Sequence, residues 1–444
     1  MFTTATKTIA KIAWRNVTRN WRHSLASSLA ILAGFTAVAL FDGFICDIIR
    51  VNEEGFSLRG MAGHVLIQRK DAQFKLVEDS FAYSMTKAEQ DKVDEKLRSD
   101  PDFDIRVRFL EVKGMIANGI NSVIFIGSST DVKEGLDMRQ KEWAWNTLAG
   151  LPLNSVSESD SILIGAGLGR MLGCAADGDT SHVTLLAGGY IPEDRPFKCL
   201  RTSLQLSATT GEGQVNALDL KVAGIVDGGF REQDKRWVML PLPLAQKLLD
   251  TNKITTIAVR LKDKDHKAKF ISRMKKWAAD EGLLLDIMPW EDHQIGALMR
   301  GSLSILNSFK SLFMVIVVII CLLSVSNTMM KSVTERIREI GVLRSFGFLQ
   351  RDITLMFTLE GLFLAAISCA GGVLATLLFS FAVNHSGLTY KAGILSSPIF
   401  LTVGLNPIVW LLNTCWLGML AAGSAWFCAR KAAKMVVADA MRHV

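Results

Sequence analysis

The sequence predicts an α-helical membrane protein: a four-span bundle with a large extracytoplasmic α+β domain inserted between spans 1 and 2. Three observations carry this prediction. Apolar stretches at 25–45, 311–330, 353–383 and about 405–428 each reach the roughly 20 residues that a helix needs to cross a bilayer. Residues 51–300, between the first two stretches, mix β-prone and helical patterns. Basic residues also crowd alternate ends of the spans. Lys7, Lys11, Arg15, Arg19 and Arg22 precede the first span, and Lys331, Arg336, Arg338, Arg344 and Arg351 fill the second connection. Arg430, Lys431, Lys434 and Arg442 follow the fourth, whereas the third connection holds Lys391 alone. The positive-inside bias then puts both termini and the 331–351 segment in the cytoplasm, with 51–300 outside.

Charge follows the same division. Outside 51–300 there are 17 Lys and Arg against 7 Asp and Glu, and the insert holds 33 against 36, which together give the formal net charge of +7. The basic pI of about 9.0 therefore marks membrane orientation. A nucleic-acid-binding role would need a basic soluble domain, and this one is slightly acidic.

Residues 1–23 read as a cytoplasmic amphipathic helix, with Lys7, Lys11, Arg15 and Arg19 every fourth residue and Ile9, Ile12, Ala13 and Trp14 elsewhere on the wheel. That pattern suits the inner headgroup layer. Span 1 (24–47) runs past the Ala37-Val38-Ala39 triplet and is longer than a signal-peptide core, so it reads as an uncleaved anchor. The domain at 48–303 follows. Its expected strands are 63–68, 115–120 turning at Asn118-Gly119 into 123–126, 161–164, 221–226, 237–240 and 257–261. Its expected helices are 165–172, 241–249 and 266–279. Span 2 with a stalk (304–331), a coupling helix (332–351), span 3 (352–384), a short external loop (385–403), span 4 (404–429) and a cytoplasmic tail (430–444) complete the chain.

Residues with chemistry are few. Gly165, Gly167 and Gly169 miss the dinucleotide spacing, because Arg170 stands where the third glycine belongs. Asp177-Gly178-Asp179 lacks the ligand series of a calcium loop and reads as a turn. No G-x-S-x-G, H-E-x-x-H or phosphate-loop motif occurs, and the seven histidines have no ligand spacing. No catalytic, cofactor or metal residue is assigned. Cys46, Cys321, Cys369, Cys415 and Cys428 lie in or at the ends of apolar spans. Cys174 and Cys199 lie in the external insert, where a disulfide is chemically allowed and not required.

The most informative stretch is 327–361. Val333, Ile337 and Ile340 share one helical face, and Glu335, Arg338 and Glu339 another. A short polar helix between two spans can pass force between cytoplasm and bilayer. Asn327, the Glu335-Arg336-x-Arg338-Glu339-Ile340-Gly341 run, Gly347 and Glu360-Gly361 resemble the core of the FtsX-like permease family, the type VII ABC architecture with its MacB-like and LolC/LolE-like branches. The tail from Ala429 to Lys434, with Ala438 to Arg442, resembles that family's closing signature, although Val437-Ala438 stands where Asp-Pro is common. Residues 162–173, 222–230, Leu240-Pro241 and 245–249 resemble the MacB-like external domain. Asn16 and Arg19 resemble residues of the family's leading helix.

The resemblance implies a bacterial inner-membrane permease that dimerises with itself or a sister subunit. It implies two copies of a cytoplasmic ABC ATPase, which bind ATP and Mg while this chain binds neither. It also implies a periplasmic adaptor, chaperone or substrate-binding protein as an outer partner, and the coupling of ATP hydrolysis to motion of the external domain. Lipophilic or envelope cargo such as lipoproteins is expected, and Gly63-His64-Val65 is faintly reminiscent of the lipoprotein-releasing branch. A tripartite drug or peptide efflux permease is the alternative, as is a non-transporting module that regulates an envelope partner. The spans hold few ionisable groups, which argues against a polar conduit.

On this reading Glu335, Arg336, Arg338 and Glu339 dock into the ATPase while Ile337 and Ile340 brace the helix against the bundle. Gly341 and Gly347 end that helix. Glu360, roughly 12 Å into span 3 at 1.5 Å per residue, is a structural clasp that takes Asn327 or a nearby basic residue as its partner. Asp42 reads as an interface residue, and Gly371-Gly372 as a site of close helix packing or a flexible point.

Overall fold

The computed structural model describes residues 4–19, 21–76, 78–138, 147–151, 160–178, 196–201, 203–227, 231–390 and 399–433. Asp179, Lys391, residues 228–230 and the tail from Lys434 through Arg442, all named above, lie outside them. The chain divides into two compact units: Met1–Ile48 with Leu303–Leu388 and Leu401–Val444, and Ile49–Ser302 with Thr389–Phe400.

In chain order, helices α1 (Thr4–Arg19) and α2 (Trp21–Glu53) come first. Strand β1 (Val65–Arg69), α3 (Ala72–Lys75), α4 (Lys87–Ser99), β2 (Phe103–Ala117), β3 (Ser122–Thr130), α5 (Val132–Met138) and β4 (Thr147–Gly150) follow. Next are β5 (Ser161–Gly165), α6 (Ala166–Met171), β6 (Cys174–Ala176), β7 (Phe197–Cys199), β8 (Ser203–Thr209) and β9 (Val215–Val226). Then come α7 (Arg231–Asp234), β10 (Trp237–Pro241), α8 (Leu242–Leu249), β11 (Thr256–Leu261), α9 (Lys267–Asp280) and β12 (Leu285–Pro289). The chain continues through α10 (Ala297–Glu335), α11 (Ile337–Ser345), α12 (Gln350–His385), β13 (Thr389–Tyr390), β14 (Ile399–Phe400) and α13 (Pro407–Ala433).

The α+β unit is built on one mixed sheet in the order β12-β1-β11-β2-β3-β10-β5-β9-β4, with β8 bridging β2 and β9. Among the described strands only β3–β10 and β5–β9 run parallel. The long strand β2 is the hub, pairing β11, β3 and β8 while it buries Val107, Leu110, Val112 and Ile116. The β2–β3 turn is set locally: Gly119 has φ +82°, and Asn118 Oδ1 accepts the backbone N–H of Ile120 and of Asn121. Helix α9 buries Phe270, Met274 and Ala278 at four-residue spacing, one stripe of a helix laid on the sheet. Helix α4 starts with a capping box, Thr86 accepting from the Glu89 N–H and Glu89 accepting from the Thr86 N–H.

Two of the three glycines of the 165–169 run, Gly165 and Gly167, have one structural explanation. The Asp234 carboxylate accepts the N–H groups of Ala166 (3.0 Å) and Gly167 (2.6 Å) at the start of α6. A Cβ on Gly165 or Gly167 would collide with Asp234 or Lys235. An acidic side chain of the protein itself occupies the place a phosphate would take. The first strand begins at Val65 rather than Gly63, because Gly63 turns at φ +59° with its Cα against the Val259 carbonyl. His64 is used there too: its N–H donates to Val259 O and its Nδ1 accepts the Leu261 N–H. Burial, and then the Lys267 ammonium, push its pKa down. Past the same end of β11, on its β2 side, hydrogen bonds from Arg273 and His266 hold the Asp102 carboxyl below the usual carboxylate range.

Cys174 and Cys199 face each other across the β6–β7 pair and form a disulfide, which settles the pairing the sequence leaves open. A cross-link spanning 25 residues narrows the unfolded ensemble by about 3 kcal/mol. Replacing both cysteines by serine should lower the urea-unfolding free energy of the α+β unit by about that amount, followed in the full chain. No change would mean that the bridge has no structural weight.

The other unit holds helices of membrane-spanning length. Among the described residues four stretches are long and apolar enough to cross a bilayer: Ser24–Leu58, Gln294–Glu335, Gln350–His385 and Pro407–Arg430. Small residues and hydroxyls knit them together. A Cβ on Gly34 would lie 2.7 Å from Val317, one on Gly372 2.7 Å from Phe35, and one on Gly361 2.7 Å from Ala425. Gly371-Gly372 therefore marks close packing of α12 on α2. Hydroxyl contacts link Ser27 with the Ser324 carbonyl (2.7 Å), Ser28 with Ser368 (2.8 Å) and Ser326 with Ser424 (2.7 Å). Asp42 pairs with Lys310 inside this unit.

Candidate functional site at the α10–α11 break

The coupling segment is not one helix over 332–351. Helix α10 runs on through Glu335, Arg336 leaves the helical conformation at φ −112° and ψ 16°, and α11 resumes at Ile337. Backbone pairing bridges the break: the Arg336 N–H donates to Val333 O and its carbonyl accepts the Ile340 N–H at 2.9 Å. The break coincides with an inward guanidinium. Arg336 is 6% exposed and Glu360, on α12, is 4% exposed.

Two donors converge on one oxygen of Glu360. Arg336 NH1 stands 3.1 Å from Oε1, and Asn16 Nδ2 on α1 stands 2.6 Å from the same atom. Three separate segments thus meet at one carboxylate. Their surroundings are apolar: Ile9 and Ala13 of α1, Val333 and Ile340, Ile353, Met356 and Phe357 of α12, and Ala429 of α13 form one buried cluster. An unpaired carboxylate or guanidinium here would be strongly disfavoured, and mutual pairing is what makes both tolerable.

A looser charge ladder leads outward from the pair. Glu339 stands 3.9 Å from both the Arg336 Nε and the Arg19 NH2, with 62% of its side chain exposed, and Lys331 stands 3.9 Å from Glu335. Glu335, Arg338 and Glu339 lie on the exposed side of the segment, and so does Phe346, at 79% exposure. The segment ends in a Schellman motif. Gly347 takes φ +93°, its N–H donates to Arg344 O, and the Phe348 N–H reaches back to Leu343 O.

Several expectations change accordingly. Arg336 is buried and paired, and is not part of an exposed docking face. Ile340 braces the segment, whereas Ile337 is half-buried and stands outside the cluster. Gly341 is buried in the middle of α11 and ends nothing; Gly347 alone ends the helix. Asn327 is exposed and does not serve Glu360, whose partners are the basic Arg336 and the amide of Asn16. Asn16 is the residue that reasoning from charges alone overlooked. Its signal was positional, a single amide following Ile9 and Ala13 on the buried side of α1.

Residues 311–437 match the model of the FtsX-like permease C-terminal domain. Over that segment the chain carries an FtsX-like permease C-terminal domain, and among its described residues it has four candidate membrane spans. Among named relatives it is 24% identical over 191 residues to the macrolide export ATP-binding/permease protein MacB of Escherichia coli K12. It is 25% identical over 193 residues to the MacB of Shigella boydii serotype 4. Each alignment takes in 42% of this chain and 27% of the relative, so the chain matches about a quarter of those proteins' length. Two solved structures are also similar. The periplasmic region of MacB from Actinobacillus actinomycetemcomitans aligns with 54% of this chain and 94% of its own, at 12% identity and TM-score 0.33. The extracellular domain of the noncanonic ABC-type transporter YknZ aligns with 51% and 98%, at 10% identity and TM-score 0.32.

The clasp can be tested by a double-mutant cycle in detergent. Glu360→Ala or Arg336→Ala alone should cost about 3–5 kcal/mol, because each strands a buried charge. Arg336→Met combined with Glu360→Leu should restore most of that loss; additive penalties would show that the two residues do not act on each other. Gly347→Ala should cost about 1 kcal/mol through its left-handed backbone, seen as a lower thermal midpoint, and an unchanged midpoint would argue against the Schellman ending.

Proposed function

We propose that the chain is the transmembrane subunit of an ATP-driven transporter. In this reading a separate cytoplasmic ATPase binds Mg and ATP and presses on the exposed side of α11. The observation that carries it is the division of labour at the α10–α11 break: Glu335, Arg338, Glu339 and Phe346 face outward, while Arg336 and Ile340 are locked to the bundle. A surface that can receive a push is thus fastened to the helices that must move. The family match over 311–437, which includes this segment, supports the reading. The positive-inside bias supports a cytoplasmic α11 and an extracytoplasmic α+β unit in a bacterial inner membrane. Two copies of the chain, or one with a sister permease, would complete the assembly with two ATPase subunits.

For cargo, the reading is a lipophilic or envelope-derived molecule, such as a lipoprotein, moved by motion of the outer domain rather than passed through the bundle. Macrolide export is the second reading, favoured by the similarity to the macrolide export proteins MacB.

Co-purification of the tagged chain from its native host should bring down an ABC ATPase. In the reconstituted complex, Glu339→Lys should leave membrane insertion and basal ATP hydrolysis intact, while cargo-dependent stimulation of hydrolysis falls at least tenfold. Full stimulation in that variant would remove α11 from the coupling route.

A further inference from the structure

Helix α1 carries a second surface that the coupling reading does not use. Ile9, Ala13 and Val17 form its buried stripe, and each follows a basic residue by two positions. At 3.6 residues per turn, two positions are 200° of rotation. Lys7, Lys11 and Arg15 therefore line the far side of the helix, and all three are exposed. The helix contains no acidic residue. Among the described residues no carboxylate pairs with these three cations, whereas Arg19, one step further along, has Glu339 at 3.9 Å.

Two contacts fix where this stripe lies along the bundle. Asn16 donates to Glu360, and the Trp14 ring meets the Phe363 ring edge-on at 5.5 Å between centroids. Glu360 and Phe363 both belong to the apolar Gln350–His385 stretch. The unpaired cations are thus held beside a membrane-spanning helix, next to an indole that is half exposed. Lys and Arg with a neighbouring Trp, at the edge of an apolar span, form the chemistry of a headgroup contact: apolar stems lie on acyl chains, charges reach phosphates, and the indole sits at the boundary.

We propose that the Lys7–Lys11–Arg15 stripe is a binding surface for anionic phospholipid headgroups, which makes α1 a strut held between the lipid surface and the bundle. An acidic protein would match the charges but gives no account of the half-exposed indole beside an apolar span. The proposal draws on the functional reading only for which leaflet is involved. Because Asn16 and Arg19 of the same helix hold Glu360 and Glu339, the strut is fastened to the coupling segment as well.

The test uses the full chain in phosphatidylcholine vesicles carrying trace spin-labelled phosphatidylglycerol or spin-labelled phosphatidylcholine, with no ATPase present. Electron paramagnetic resonance reads the motionally restricted fraction of each lipid. The unmodified chain should prefer phosphatidylglycerol, and the preference should weaken as salt is raised. Lys7→Gln, Lys11→Gln and Arg15→Gln together should abolish it, by roughly fivefold per residue at the surface. The arginine versions of Lys7 and Lys11 should retain it, which separates loss of charge from loss of folding. Lys269→Gln, Lys275→Gln and Lys276→Gln, an equal charge change on exposed α9 positions, should leave it in place. A glutamine triple variant of α1 that keeps the preference overturns the proposal, and so does an α9 variant that loses it equally. Failure to co-purify an ATPase would count against the transporter reading and leave this result untouched.

Discussion

The buried pair between Arg336 and Glu360 is the constraint from which the rest of the membrane unit follows. A carboxylate in an apolar cluster cannot remain charged without a partner, and the guanidinium that serves it must come from the chain nearby. Supplying it from the end of α10 breaks the helix at one residue and turns α11 into a separate element. Adding Asn16 as a second donor ties in α1. One ion pair therefore marks where α11 begins and which helices are tied to it. Removing either charge alone would leave the other in the apolar cluster with only its weaker partner, the Asn16 amide for Glu360 or the more distant Glu339 for Arg336. The arrangement is stable as a pair and poor as two singles.

Close packing elsewhere in the unit makes that connection mechanical rather than loose. The glycine contacts of α2, α12 and α13 leave little space for independent sliding, and hydroxyl bonds cross between α2, α10, α12 and α13. A displacement of α11 has few soft places in which to be absorbed. Phe346 and the exposed charges of α11 combine exposure with attachment to the clasp through Arg336 and Ile340. This combination is what a force-receiving surface requires.

Much of this was legible in the sequence because the signals were local. Apolar runs of about 20 residues or more announced the spans, the Asn118-Gly119 pair announced its hairpin, and short apolar, β-prone runs announced β5, β10 and β11. Misses came where periodicity was faint or the partner distant. Helix α4 has only Val93 and Leu97 as buried apolar residues, so its hydrophobic stripe is weak; the Thr86–Glu89 box was its true signal. The hairpin of β8 and β9 is half polar because one face is exposed. Arg336 looked like one more charge in a charged run, since nothing within seven residues shows that it faces Glu360, 24 positions away. Asn16 and Glu360 are 344 positions apart, and no spacing rule reaches so far.

The central claim is that α11 receives force on one side of a membrane for use on the other. Single cysteines at Arg338 and Ser345 on α11, and at Ile120 in the β2–β3 turn, introduced after replacing the five free cysteines, can be labelled in sealed cells with a membrane-impermeant maleimide. The account predicts reaction at position 120 in intact cells and at 338 and 345 only after the membrane is opened. Labelling of all three positions from outside would contradict it.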